Sequence, residues 1–441
     1  MFSDYKDFGP ALLGDSSRKC NASFRLSNTN VTVANTLRRA ILTLTPSVGF
    51  RTEPHNKSEV DIKINTTPLV NEMLSHRIGM IPVRVPSLID FNPELYEFIL
   101  DRKNVSNELM DVRASDFQVF MRNPENPLDT PVQLKTEDYF PPDPITKETV
   151  LITRLRPQWN PTAPKEHIYI RAKASISNGT ENIRWSPVSQ CSYEYTRDSD
   201  PEHRKAVFEA WLATNKKITD PSAMEAEQSE RMGQYNREFE TMEIQRCFIK
   251  NEKGEPSDFT FHLESIGTQS IVDIVKSGLA ACEALVTKYQ DIDSAQPESV
   301  QILIGDSRYP SLDITFRDEA HTLGNLLETF LVDSHIDGPS EPKLTYAAYK
   351  VPHPLRKEMC LRVSIAGSHD PEAQRQTARL AIAMVCRHLK ALFHAMLVAW
   401  IPPSPEELAT APALPPPAPA APVLPEAPVD NSLLGALPAA E

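Results

Sequence analysis

The sequence is poor in cysteine, and its few cysteines are not arranged to bind a metal. No two of the six fall at the spacing of metal ligands. We therefore expect reduced thiols that pack as small apolar side chains, with no metal and no other cofactor. The six are Cys20, Cys191, Cys247, Cys282, Cys360 and Cys386.

The sequence contains fewer basic than acidic residues. The 441 residues include 46 Lys and Arg against 59 Asp and Glu, so the net charge is −13. A surface that wraps nucleic acid needs clustered Lys and Arg, and we expect no direct base-specific contact with nucleic acid. The sequence also has no phosphate-binding loop, nucleophile elbow or paired-histidine zinc motif, so it predicts no catalytic activity for this chain.

Targeting segments are missing as well. The start, "MFSDYKDFGPALL", has neither the basic residues nor the apolar run of a signal peptide, and we expect no apolar window of 18 residues elsewhere. The sequence thus predicts a soluble, intracellular protein without a membrane span. Residues 401–441 are rich in Pro and Ala and contain no Lys or Arg, so we expect a disordered tail.

The sequence does contain one helix pattern twice. "VTVANTLRRAIL" (31–42) and "HTLGNLLETFL" (321–331) share Thr, aliphatic, Ala or Gly, Asn, any residue, Leu. Apolar residues at helical spacing give each copy a stripe that faces a core. The second copy lacks the basic residues of the first, Arg38 and Arg39. Chance likeness between two amphipathic helices would be an adequate explanation if this pattern stood alone.

Strand-like alternation surrounds each copy, which predicts two related α+β halves. Their apolar faces would bury each other about a pseudo-twofold axis, as in a dimer made within one chain. Asn28 and Asp318 precede the two copies at matching offsets and are the predicted helix caps. A long helix is predicted to begin at Pro371, capped by Asp370. The predicted core of this pseudo-dimer consists of Leu37, Ile41, Leu323, Leu327, Ile382, Val385 and Leu389.

Changes in composition suggest the domain limits. A Pro-rich and then β-rich style begins near residue 84, and strand alternation resumes at "FTFHLESIG". The predicted organisation is a first dimerisation half (1–83 with 257–290), an insert domain (84–256), a linker (291–298), a second half (299–400) and the tail (401–441).

Seven collinear motifs resemble a known family. "FRLSNTNVTVANTLRRAIL", "INTTPLVNEMLSHRIGMIP", "ENIRWSPV" and "FTFHLESIG" are similar to the α-like subunit of archaeal RNA polymerases and to its equivalent in eukaryotes, the third-largest subunit of polymerase II. "DEAHTLGNLLETFL", "AAYKVPHPL" and "LRVSIAG" resemble the smaller partner of that protein in archaea and the eleventh subunit in eukaryotes. Bacterial α, which homodimerises, is similar to both copies. The likeness covers most of residues 20–400, which argues against chance.

The resemblance implies the RNA polymerase α-like dimerisation fold and a non-catalytic role in assembly. In that role the dimer docks the largest and second-largest polymerase subunits, and small subunits bind near the insert or the second half. The halves are separate chains in cellular relatives, and the joined arrangement is similar to that of some large DNA viruses. We therefore expect a viral source and a location in the host cytoplasm, in a viral factory, and in the virion; the nucleus is the alternative.

Two docking faces follow from the resemblance. Residues of the first copy and of "SHRIG" match the family's surface for the second-largest subunit, and residues of the second copy are expected nearer the largest. Arginine suits such interfaces because its guanidinium bonds bidentately. A solvated helix face is the alternative for the arginines, and a stand-alone adaptor is the alternative for the whole protein. The predicted docking residues are Asn35, Arg38, Arg39, His76, Arg77, His321, Gly324 and Asn325.

The insert departs from many relatives, which carry a cysteine-rich zinc or iron–sulfur site there. In this chain the predicted insert contains only Cys191 and Cys247. Two cysteines cannot build such a site, so we expect the insert to be held together by its own apolar core.

Overall fold

The computed structural model is a mixed structure of helices and sheets that describes most of residues 1–400. The tail for which disorder is predicted, 401–441, lies outside the described residues. The other undescribed positions are 13–14, 124–129, 144, 159, 161, 163, 219–225, 306–309 and 366–369.

The described residues contain seven α-helices and seventeen strands. The helices are α1 (Val31–Thr43), α2 (Asn71–Gly79), α3 (Pro201–Trp211), α4 (Ala226–Glu238), α5 (Ile271–Thr287), α6 (His321–Leu331) and α7 (Pro371–Ala399). The strands are β1 (Phe2–Leu12), β2 (Asp15–Ser27), β3 (Pro46–Gly49), β4 (Val60–Asn65), β5 (Tyr96–Lys103), β6 (Met110–Arg113), β7 (Phe117–Met121), β8 (Val132–Leu134), β9 (Leu151–Leu155), β10 (His167–Ala172), β11 (Ser175–Asn178), β12 (Val188–Tyr195), β13 (Asp258–Ser265), β14 (Val300–Ile304), β15 (Leu312–Arg317), β16 (Leu344–Lys350) and β17 (Glu358–Ile365).

Two four-stranded antiparallel sheets have the same strand order. The first is ordered β1-β2-β13-β12 and the second β14-β15-β17-β16. In each sheet the second strand leads into a helix with the repeated pattern, α1 or α6, and the third leads into a long helix, α5 or α7. The two halves therefore have the same arrangement of strands and helices.

Local sequence explains how these helices start and pack. The side chain of Asp370 accepts hydrogen bonds from the backbone N–H groups of Glu372 and Ala373, which confirms the predicted start of α7. Helices α1 and α5 approach closely because Gly278 has no side chain. A Cβ there would lie 2.7 Å from Cγ1 of Ile41.

One hydrophobic core contains residues of both halves. Helix α5 packs on α7, and α1 contacts both α5 and α6. The inner faces of both sheets and all four of these helices contribute to the same cluster of buried side chains. It includes every residue that the sequence predicted for the core: Leu37, Ile41, Leu323, Leu327, Ile382, Val385 and Leu389.

Two insertions interrupt the first half where the second half has short connections. The first insertion, 44–187, separates α1 from β12, whereas 332–343 join α6 to β16. It contains the five-stranded sheet β4-β10-β5-β7-β8 and a separate aromatic and aliphatic core. The second insertion, 196–257, separates β12 from β13, and a small core around Trp211 holds it together.

These limits differ from the predicted insert, 84–256. Leu74 and Ile78, which the prediction placed in the first half, are buried in the core of the first insertion. Strand β12, which it placed in the insert, pairs with β13 in the first-half sheet. Alternation within a short strand predicts a half-buried strand but not the sheet that it joins, so composition alone misplaced both limits.

The predicted linker, 291–298, is bound to α7. Ile292 is fully buried, and its carbonyl accepts a hydrogen bond of 2.6 Å from Nε of Arg379. The Asp293 carboxylate accepts hydrogen bonds from Arg387, 2.8 Å to each oxygen. This segment is therefore part of the packed structure of the second half.

The predicted helix caps were wrong. The side chain of Asn30 caps α1 by accepting a hydrogen bond from the N–H of Val33, and α6 follows Ala320 without a side-chain cap. Asn28 and Asp318 instead adopt left-handed backbone conformations, with φ of 57° and 62°. Short polar side chains tolerate this conformation, so the matching residues mark a matching turn before each helix.

The expectation of no long apolar window was also wrong. Helix α7 is long and apolar enough to cross a membrane, judged by length and composition alone. Its residues Ile382, Leu389 and Phe393 are fully buried in the shared core. We assign α7 as a core helix, because packing against α5, α6 and the second sheet accounts for its apolar composition.

Candidate subunit-docking surface

The repeated helices meet along a polar seam between α1 and α6. The hydroxyl of Thr32 donates to Oδ1 of Asn325 at 3.2 Å and lies 3.1 Å from the hydroxyl of Thr329. Nε of Arg39 donates to the hydroxyl of Thr322 at 2.8 Å. Thr32 and Thr322 hold the same position in the two copies, as do Arg39 and Thr329. The two contacts are therefore reciprocal, as in an interface with twofold symmetry.

The seam changes the interpretation of two predicted docking residues. Arg39 and Asn325 are half-buried, and each forms a hydrogen bond to the other copy of the helix. Both residues thus contribute to contact between the halves. Periodicity predicted that Arg39 leaves the apolar stripe of α1, but it could not show that α6 lies there.

Arg38 instead faces a cleft. Its Nε and Nη2 donate to Oδ1 of Asn35, one turn earlier, at 3.1 and 3.0 Å. The cleft, called the Arg38 cleft below, lies between α1, β12 and the end of the second insertion and has a volume of about 700 Å³. Its lining residues are Asn35, Arg38, Cys191, Ser192, Tyr193, Glu194, Tyr195, Arg197, Met242, Gln245, Arg246 and Phe248.

The equivalent position in the second half is closed by a tyrosine. The ring of Tyr349 lies on Gly324, where a Cβ would come within 2.3 Å of Cδ2. The Tyr349 hydroxyl is 3.3 Å from Nδ1 of His321, which is exposed. Burial raises the pKa of Tyr349. The negative charge of Glu328 raises this pKa further, and the positive charge of Arg39 lowers it. Gly324 is buried here, so it can serve docking only by allowing this packing.

His76 and Arg77 lie on α2, which packs into the core of the first insertion. His76 is exposed. Arg77 donates from Nε to the carbonyl of Ile152 and from Nη2 to that of Leu151, both at 2.7 Å. Arg77 therefore holds α2 against β9, a contact between distant segments that the sequence alone did not reveal.

The cysteines are all free. Burial raises the pKa of Cys191 to about 12, which disfavours a reactive thiolate. Among the residues that the structure describes, no three His, Cys, Asp or Glu side chains are grouped so that they could hold a metal ion.

Comparison with known proteins identifies the class. The RNA polymerase Rpb3/Rpb11 dimerisation domain matches twice, at residues 23–286 and 311–396. The first match spans more than half of the chain. The chain therefore belongs to the RNA polymerase Rpb3/Rpb11 dimerisation-domain family.

Individual relatives are polymerase subunits from eukaryotes and archaea. The chain is 26% identical to DNA-directed RNA polymerase II subunit RPB3 of Schizosaccharomyces pombe, over 63% of this chain and 86% of that protein. It is 30% identical to DNA-directed RNA polymerase subunit Rpo3 of Methanopyrus kandleri, over 39% of this chain. Subunit 3 of the Arabidopsis thaliana polymerases II, IV and V is 26% identical over 40% of this chain. The chain spans 54% of the length of each of these last two relatives.

Proposed function

We propose that this protein is the assembly platform of a DNA-directed RNA polymerase and docks its two largest subunits. Similarity to subunit-3 proteins makes it a non-catalytic polymerase subunit. The observation that carries the proposal is the seam between α1 and α6 with the core shared by both halves. It supports an intramolecular counterpart of a two-chain dimer, with the halves joined in one polypeptide.

Equivalent positions of the two repeated helices carry opposite charges, which supports the proposal that the two halves bind different subunits. Arg38 of α1 corresponds to Glu328 of α6, and each influences the tyrosine of its own half, Tyr193 or Tyr349. In our proposal the second-largest subunit contacts Asn35, Arg38 and the exposed residues of α2, and the largest contacts exposed His321. Small subunits would bind at the insertions or the second half.

Co-purification tests this function. A tagged full-length chain is expected to recover both largest subunits from its source cells. Arg38→Glu should release the second-largest subunit because it places a carboxylate where a cation is required, and it should retain the largest. Arg356→Glu is the matched control, since this arginine is 73% exposed in a loop of the second half. Normal assembly of a folded Arg38→Glu variant would contradict the docking assignment.

The stand-alone adaptor remains the second candidate, and the same experiment separates the two. An adaptor would recover neither large subunit from cells in which it is expressed. For the source we propose a large DNA virus, on the basis of the joined halves. Labelling of infected cells should then find the chain in cytoplasmic factories and in virions, whereas nuclear labelling would favour a cellular polymerase.

A further inference from the structure

We propose that the Arg38 cleft binds a short acidic segment of a partner subunit, one that carries an apolar or aromatic side chain. This inference rests on the proposed function and specifies the chemistry of one docking contact. It also assigns a role to the second insertion, which forms one wall of the cleft.

Charge in the cleft favours an anionic ligand. Three arginines and one glutamate line it, although the chain as a whole has a net charge of −13. Among the described residues, the Arg38 guanidinium group hydrogen-bonds to the Asn35 amide, and neither Arg38 nor Arg197 has a carboxylate partner. Arg246 pairs with Glu243 at 2.7 Å, and the lining glutamate, Glu194, lies 3.5 Å from Nε2 of His262. Two guanidinium groups are therefore available for carboxylates.

The apolar lining favours a peptide. Tyr195 packs against Phe248 with ring centroids 5.0 Å apart, and Tyr193 packs against Phe261 at 5.5 Å. Met242 is 74% exposed at the wall of the cleft, where a flexible thioether can adapt to a partner. A binding site of this size that combines aromatic side chains with a few charged groups is typical of ligand recognition. Ion pairing alone would not require this apolar surface.

A single side chain distinguishes the Arg38 cleft from the equivalent position in the second half. Tyr193 and Tyr349 occupy equivalent positions, because Tyr193 pairs with Phe261 and Tyr349 with Leu361 at the same point of each sheet. Tyr349 can lie on α6 because position 324 is glycine. The equivalent residue in α1 is Ala34, whose Cβ would obstruct a tyrosine in that position. Tyr193 instead packs against Phe259 and Phe261 and lines the cleft together with Asn35 and Arg38.

Nucleic acid is the less suitable ligand. Binding along a phosphate backbone needs a continuous basic stripe, and the arginines here are confined to one cleft of an acidic protein. A segment with a few carboxylates and one large apolar side chain matches both the charge and the lining.

Site-specific crosslinking in the assembled polymerase tests the inference. A benzophenone amino acid replaces Met242 in one full-length variant and Tyr195 in another, and a third variant carries it at Leu355, which is 88% exposed in the other half. The two cleft positions are expected to crosslink to one segment rich in Asp and Glu that contains an aromatic or large aliphatic residue. Leu355 should not crosslink to that segment.

Charge reversal provides the specificity control. Arg38→Glu combined with Arg197→Glu should reduce the cleft crosslink by about tenfold or more, as expected for the loss of charge-assisted hydrogen bonds. Arg356→Glu should leave the yield unchanged. Thermal melting of each variant checks that the chain is folded.

The outcomes separate this inference from the proposed function. The cleft assignment is overturned if the large subunits co-purify but neither cleft position forms a crosslink. A crosslink to nucleic acid, or to a segment without acidic residues, would overturn it as well. In each case the platform role stands. If neither large subunit co-purifies, the proposed function fails and the inference fails with it.

Discussion

At the scale of single residues, one missing side chain distinguishes the two repeated helices. Gly324→Ala would place a Cβ 2.3 Å from the ring of Tyr349 and force that ring off α6. We expect a loss of about 1 to 3 kcal/mol in the free energy of unfolding, as for overpacking in a core. Denaturant unfolding measures it. Gly233→Ala is the matched control, since nothing lies within 4 Å of its Cβ, and it should stabilise by up to about 1 kcal/mol. Equal effects of both changes would contradict the packing argument.

A second residue-scale prediction concerns acid stability. Arg362 donates to both oxygens of Asp313 at 2.6 and 2.7 Å, and these bonds lower the pKa of Asp313 although burial opposes the shift. Because the folded-state pKa is below the unfolded one, the pair stabilises above the unfolded pKa, and this stability is lost as pH falls through the lowered folded value.

The variant Asp313→Asn tests whether the stability that this ion pair provides is lost in acid. We expect it to cost about 0.5 to 1 kcal/mol near neutral pH, since solvent screens a pair whose arginine side chain is 36% exposed. The difference from the wild type should shrink in acid, as measured by urea unfolding across a pH series. A difference that is constant with pH would exclude the ion pair as its cause.

At the scale of elements, the seam between α1 and α6 should be measurable as an energetic coupling. The bond from Arg39 to Thr322 is the one charge-assisted contact described in it, and Arg39→Met with Thr322→Val should show a coupling of about 0.5 to 1.5 kcal/mol in a double-mutant cycle. Arg38→Met with Thr322→Val is the control and should be additive, because Arg38 bonds within its own helix. Coupling in both cycles would indicate a general change in α1.

Sequence patterns predicted individual helices and strands better than they predicted which of these elements pack against each other. The apolar stripe of each repeated helix and the start of α7 followed from spacing and capping chemistry, because both are local. The position of β12 in the first sheet and the contact of Arg39 with Thr322 depend on segments far apart in the chain. The Arg38 cleft likewise depends on segments that are far apart in the chain, so local patterns did not predict it. Arg38 was predicted to dock a partner, but Arg197, Met242 and Phe248 lie in the second insertion, far from Arg38 in the sequence, and no sequence signal linked them to it.

At the scale of the whole molecule, joining the halves makes an association of two surfaces intramolecular. The second half is then present at an effective concentration on the order of millimolar. Formation of the shared core therefore does not depend on protein concentration. In our proposal the opposite charges at Arg38 and Glu328 distinguish the faces that the two halves present to their partners.

Cutting the connection between the halves tests this arrangement. A protease site between Ala295 and Gln296, both exposed, would cut the chain without removing any residue of the shared core. We expect the two fragments to elute together in gel filtration, because α5 remains packed on α7 and α1 on α6. The melting temperature of the cut protein should rise with protein concentration, since association has become bimolecular, while that of the uncut protein should not. Fragments that separate under native conditions, or a melting temperature independent of concentration after complete cleavage, would show that the halves do not hold each other as an intramolecular dimer.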